Sequence, residues 1–322
     1  MNAMPIYLQQ LVDELPQDIE GRVKAALKEH RDKIREALIL HTRMTLRHYN
    51  DDLFGGGQFE TINIGVAVRP GLPEPLQPRD KQEIEDRHRL ALLLGPYRQH
   101  LVGLRDDGEI IALKLIKAMR TEPVALPLLT GQERTVEDAW QFARMLLQKL
   151  EQFQLTEFIL KINEDVLGIY DYGGAEPRIE LYWGVIGLVA RDLNLRVEDL
   201  TCVVLAHELA HAFTHVGSDA NHLSWGSAQF LKTAHEVKEG LAQYFTALVC
   251  RQIKVRGAFD AYEKLLAQQP DAYKVHSTWN TNPENVRLAM MRMRRVTQQS
   301  RTLKLFQEFL DDSARQLDVG TA

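Results

Sequence analysis

Between Pro5 and about Asn50 the apolar residues Val23, Ala26, Leu27, Ile34, Leu38 and Ile39 recur near the helical period among charged neighbours, which predicts one or two long helices. Phe54-Gly55-Gly56-Gly57 interrupts the pattern. From Phe59 to Val68 the positions Ile62, Ile64, Val66 and Val68 alternate as in a strand. Pro70, Pro73, Pro75 and Pro78 then form an extended connector, a candidate domain boundary over 70–78. Asp80 to Leu94 reads as a helix, and His100 to Leu104 and Glu109 to Ile116 flank Asp106-Asp107-Gly108, a turn suited to a hairpin. After Pro123, Pro127 and Gly131, Val136 to Phe153 is amphipathic, with Thr135 as its expected N-cap. Phe158 to Tyr172 and Arg178 to Ile186 are rich in β-branched and aromatic residues and read as strands, the second as an edge strand. Val197 to His215, Phe230 to Arg251, Ala258 to Gln268, Pro283 to Val296 and Leu303 to Leu317 all carry the helical period. The fold class expected is α+β: a mixed helical and strand region over 1–132, of unassigned purpose, followed by a helix-rich region over 133–322.

Composition removes several function classes. A chain of 322 residues, 45% hydrophobic and 26% charged, can bury a large core and does not belong to the disordered class. Its net charge of −5 provides no global positive field, so neither nucleic acid nor a membrane is an expected partner. Arg287, Arg292, Arg294, Arg295, Arg301 and Lys304 form the one basic cluster, which reads as a solvated helix face. Cys202 and Cys250 are too few for a disulfide framework or a four-cysteine zinc module. Met1 to Leu15 lacks a basic segment followed by an apolar one, and no stretch approaches the roughly 18 apolar residues of a membrane span. The expected setting is cytoplasmic.

The chemistry concentrates in Cys202-Val203-Val204-Leu205-Ala206-His207-Glu208-Leu209-Ala210-His211. Residues four apart on a helix lie about 40° and about 6 Å apart, so His207 and His211 share a face and can ligate one metal ion. Glu208 is turned by about 100° from His207, beside the ion yet outside its ligand set, where a general base belongs. With 11 histidines in the chain, chance supplies His-Glu-x-x-His only about 0.03 times per sequence of this length, so the motif is read as chemistry. Zinc is the natural occupant of two imidazoles and a carboxylate with one open position. Glu239, on the helix that follows, is the chosen third ligand; Glu236 on the same face and Asp219 remain rivals. His215, Gln243, His235 and Glu236 are candidates for lining the cleft or supporting the ligands. Tyr244, Tyr273 and His276 are candidates to stabilise an oxyanion.

His207-Glu-Leu-Ala-His211-x-x-x-His215 followed by Glu239-x-x-Ala242-Gln243-x-Phe245 resembles the gluzincin metallopeptidases, most closely their compact ImmA/IrrE-like members. The likeness spans roughly Arg178 to Val249, with Gln243 where that family usually has Asn and Ala210 where Gly is frequent. It implies a zincin-like catalytic region with an active-site helix, zinc on His207, His211 and Glu239, and Glu208 as general base. The activity implied is hydrolysis of a protein or peptide substrate by zinc-activated water. The alternative is a regulatory or sensor protein that keeps the zinc site without turnover.

Overall fold

The structure, a computed structural model, describes residues 12–13, 15–50, 58–76, 159–160, 166–174, 176–279, 282–297 and 300–319. The helices read over 80–94 and 136–153 and the hairpin over 100–116 lie outside the described residues. The chain divides into two compact units. One joins Met1–Leu15 to Leu72–Phe158 and is described at residues 12–13, 15 and 72–76, with a 3-10 turn at Glu74–Leu76. The other joins Pro16–Gly71 to Ile159–Ala322 and carries every other element. The break between Gly71 and Leu72 falls inside the proline cluster. The division at 132/133 does not coincide with these units, because a strand and a helix from before residue 71 pack with elements after residue 168.

Helix α1, Ile19–Thr42, buries Ile19, Val23, Ala26, His30, Ile34, Ala37 and Leu38 along one face. Its solvent side carries the (i, i+4) pairs Lys24 to Glu20 at 2.6 Å and Lys33 to Glu29 at 3.8 Å. The helical pattern read to about Asn50 stops earlier: Arg43 takes a left-handed conformation (φ 53°) and its N–H bonds back to Ile39 O at 2.8 Å. Beyond it, β1 (Arg47–Asn50) pairs antiparallel with β2 (Gln58–Thr61). The alternating run from Phe59 to Val68 is therefore two strands, since β3 (Gly65–Arg69) belongs to a different sheet.

That second sheet has the order β3, β5, β4, with β4 at Gly168–Asp171 and β5 at Arg178–Tyr182. β5 runs parallel to β3 and antiparallel to β4, so it is the central strand, and the expectation that it forms an edge is corrected. Its Ile179 and Leu181 are fully buried. The strand also ends sooner than read. From Trp183 the chain enters α2, Trp183–Asp192, whose Gly184 to Ala190 are all buried. An unbroken apolar run reads equally as a buried strand or a buried helix, so periodicity could not separate them.

Helix α3, Val197–Val216, is the centre of the unit. α1, α2, β4, β5 and two later helices, α5 (His235–Gln252) and α6 (Ala258–Gln268), all pack against it. Burial on every side explains why it presents no solvent-facing polar stripe; its polar row, His207, His211 and His215, faces inward. The short α4 (Ser227–Leu231) and α7 (Asp271–Lys274) lead into α5 and out of α6 respectively. Helices α8 (Pro283–Arg295) and α9 (Leu303–Val319) pack on each other. The side chain of Asn282 caps α8 by accepting from Asn285 N at 3.0 Å, and Pro283 occupies its first turn. Cys202 and Cys250 are buried and unbridged. Among the described residues no helix is long and apolar enough to cross a membrane.

Candidate metal centre

One helical turn on α3 and one position on α5 bring three donors together. His207, His211 and Glu239 are 6%, 5% and 4% exposed, and each offers one ligand atom to a group that can hold a metal ion. The two Nε2 atoms are 3.1 Å apart, and each lies 3.3 Å from Glu239 Oε2. Donors bound tetrahedrally at about 2.0–2.1 Å from zinc stand about 3.3–3.4 Å from one another, so the triangle has the size such an ion requires. Its chemistry agrees. Two imidazole nitrogens and a carboxylate oxygen converging away from water need a proton or a cation between them. Burial alone would push the Glu239 carboxyl up, but the facing imidazoles of His211 and His207 more than reverse this and hold it well below the usual carboxylate range.

Glu208 lies outside the triangle, 1% exposed, against the strand β4. Gly168 makes that approach possible. A Cβ on it would fall 2.8 Å from Glu208 Cγ, Glu208 Oε1 and Val204 Cγ1. A glycine within a strand is the sequence signal of such close approach. Gly168→Ala is expected to destabilise the fold by about 1–3 kcal/mol through overpacking. Thermal melts check this.

The neighbouring candidates separate by position. His235 Nδ1 stands 3.5 Å from Glu239 Oε1, the oxygen that does not face the imidazoles. Glu236 is exposed, and Asp219 uses Oδ1 to accept from Asn221 N and Leu223 N in the loop after α3. Gln243 Nε2 donates to Gln269 Oε1 at 3.0 Å. His215 has no exposed surface. Its Nδ1 is 3.0 Å from the Tyr170 hydroxyl, its Nε2 is 3.2 Å from Ser227 Oγ, and its ring stacks on Phe230. It ties α3 to β4 and α4.

No family model, curated protein or solved structure matches the chain. The site must be read from its own geometry.

Of the three oxyanion candidates, Tyr273 is the one beside the ligands, its ring stacked on His207 at 5.9 Å and edge-on to His235 at 6.0 Å. His276 lies behind it: Nδ1 donates to Tyr273 O at 2.9 Å, so Nε2 accepts from the Tyr262 hydroxyl at 2.7 Å. Tyr244 packs on Phe245 and Trp279 instead. The basic cluster disperses, correcting its reading as one solvated face. Arg287 pairs with Glu284, while Arg301 is buried and donates to Met293 O at 3.4 Å. Arg294 is buried among backbone carbonyls at the end of α3.

Burial, aided by the nearby charge of Arg294, pushes His215 down to about 4 from an ordinary value near 6.5. Between those two values the unfolded chain takes up a proton that the folded one refuses. Stability is therefore lost as pH falls from about 6.5 toward 4, by up to about 3 kcal/mol. Denaturant unfolding of metal-free protein across that range checks this: His215→Gln, which cannot titrate, should lose less stability on acidification than the parent.

Proposed function

We propose that this protein is a zinc-dependent metallopeptidase of the gluzincin type, with a zincin-like catalytic region, acting on protein or peptide substrates. The observation that carries the reading is the buried triangle of His207, His211 and Glu239, with sides of 3.1–3.3 Å, beside a second buried carboxylate, Glu208, on the helix of the two histidines. When bound, zinc supplies a Lewis acid that makes water acidic near neutral pH and polarises a peptide carbonyl.

The chain's own residues divide the remaining work. His207, His211 and Glu239 hold the ion, and His235 beside Glu239 Oε1 steadies that carboxylate. Glu208 takes the proton of the attacking water and passes it to the departing amine, which leaves Glu208 ready for another cycle. Gly168 permits Glu208 to lie close against β4, and Tyr273 forms a wall beside His207. Buried, unbridged Cys202 and Cys250 support a reduced, cytoplasmic setting.

The direct test strips the purified protein with a chelator, reloads it with zinc, and measures metal content and hydrolysis of a mixed peptide library. About one ion per chain and metal-dependent cleavage are expected. A chain that takes up no zinc would end the proposal, and zinc uptake without any cleavage would favour the regulatory or sensor alternative.

A further inference from the structure

Directly beside His207 and Glu208 lies a small cavity whose other walls are mostly apolar. Leu160, Val166 and Leu167 come from the chain ahead of and entering β4, Val203 and Val204 from α3, and Leu265 from α6. All six are at least nine-tenths buried. The polar members are Gln243, Gln269 and Tyr273, and the two glutamines already bond to each other at 3.0 Å. The cavity measures about 30 Å³. A single water needs about 10–15 Å³ on this measure, whereas an apolar cavity that takes benzene is about 150 Å³. The room available suits one to three methyl-sized groups.

From this we infer that the cavity is a side-chain subsite that selects a small aliphatic residue, alanine or valine, at one of the two positions flanking the scissile bond; the inference rests on the metallopeptidase reading. Adjacency to both a metal ligand and the general base places the occupant next to the reacting carbonyl. An aromatic side chain exceeds the volume. A charged one would be stripped of water among Leu160, Val166, Val203 and Leu265; an acidic one would also meet the Glu208 carboxylate, and a lysine is too long for the volume. Glycine fits but leaves the apolar walls unfilled.

The test uses a peptide series varied singly at both flanking positions with Gly, Ala, Val, Leu, Phe, Asp and Lys. Cleavage is measured with the zinc-loaded protein, and binding by calorimetry with zinc-loaded Glu208→Gln. At one position Ala and Val are expected to exceed Phe, Asp and Lys by at least about tenfold in both readouts. Leu265→Ala, which enlarges the cavity, should shift that preference toward Leu and Phe by a similar factor; Val203→Ala serves the same end if Leu265→Ala does not fold. Cleavage indifferent to side-chain size at both positions would overturn the subsite, as would an enlarged, folded variant with unchanged preference. Selective binding without cleavage would uphold the cavity and overturn the peptidase reading; neither binding nor cleavage would end both.

Discussion

Glu208→Gln is expected to keep zinc and the fold while lowering peptide hydrolysis by about 10²–10⁴-fold, the usual weight of a positioned proton carrier. The amide has nearly the shape of the carboxylate and fits the same space against Gly168, but it cannot accept a proton from water. Glu239→Ala should act on the other half of the site. It removes one corner of the triangle, leaves His207 and His211 as a two-ligand pair, and should weaken zinc affinity by more than about a hundredfold. Glu236→Ala, at an exposed position three residues earlier, should retain the ion. Zinc content, melting temperature and turnover of the three variants, measured together, assign the carboxylates. If Glu236→Ala strips the metal and Glu239→Ala does not, the ligand is misassigned. If Glu208→Gln empties the site, the base and ligand roles are not separable in this helix.

The parts of this site that sequence revealed are those fixed by local geometry. His207 and His211 share a face because any helix places residues four apart there, and the apolar run from Cys202 to Ala206 already marked the helix as buried. The starts of α6 after Gly257 and of α8 at Asn282-Pro283 were equally legible, since caps and breakers act within a few residues. Glu239 was reachable because α5, the first long helix after the motif, carries only two carboxylates, Glu236 and Glu239. What stayed hidden depends on distant partners. β5 is central only because β3, more than a hundred residues earlier, pairs along its outer side, and no pattern within 178–182 announces that neighbour. The apolar run of α2 carried no period to identify it. The amide nitrogen of Gln243 goes to Gln269, the residue that caps α6, a partner set by how α5 and α6 pack.

Arg294 shows the same limit most sharply, and its replacement should have the largest effect on stability outside the ligand set. In sequence it is one of six basic residues on an expected surface; in the fold it is 5% exposed. Its Nη1 donates to Gly217 O at 2.9 Å and Leu223 O at 3.2 Å, and its Nη2 to Phe213 O at 3.2 Å and Thr214 O at 2.5 Å. Those carbonyls lie at and just beyond the C-terminal end of α3, where the helix leaves acceptors unsatisfied and carries partial negative charge. Burial lowers the guanidinium to about 10, against which Asp219 pulls it upward, so the group remains a cation at neutral pH. Arg294→Met keeps much of the side-chain volume but removes four hydrogen bonds to carbonyls, of which Phe213 O keeps Gly217 N and Leu223 O keeps Asp219 N as donors, and is expected to cost about 3 kcal/mol. Arg294→Lys should recover only part of that loss, because a single ammonium cannot span acceptors that a planar fork reaches from two nitrogens. Chemical denaturation should be done on chelator-treated protein, since bound zinc would add its own stabilisation and mask the difference. A loss below about 1 kcal/mol for Arg294→Met would mean that water or a rearranged loop can terminate α3 as well as the arginine does.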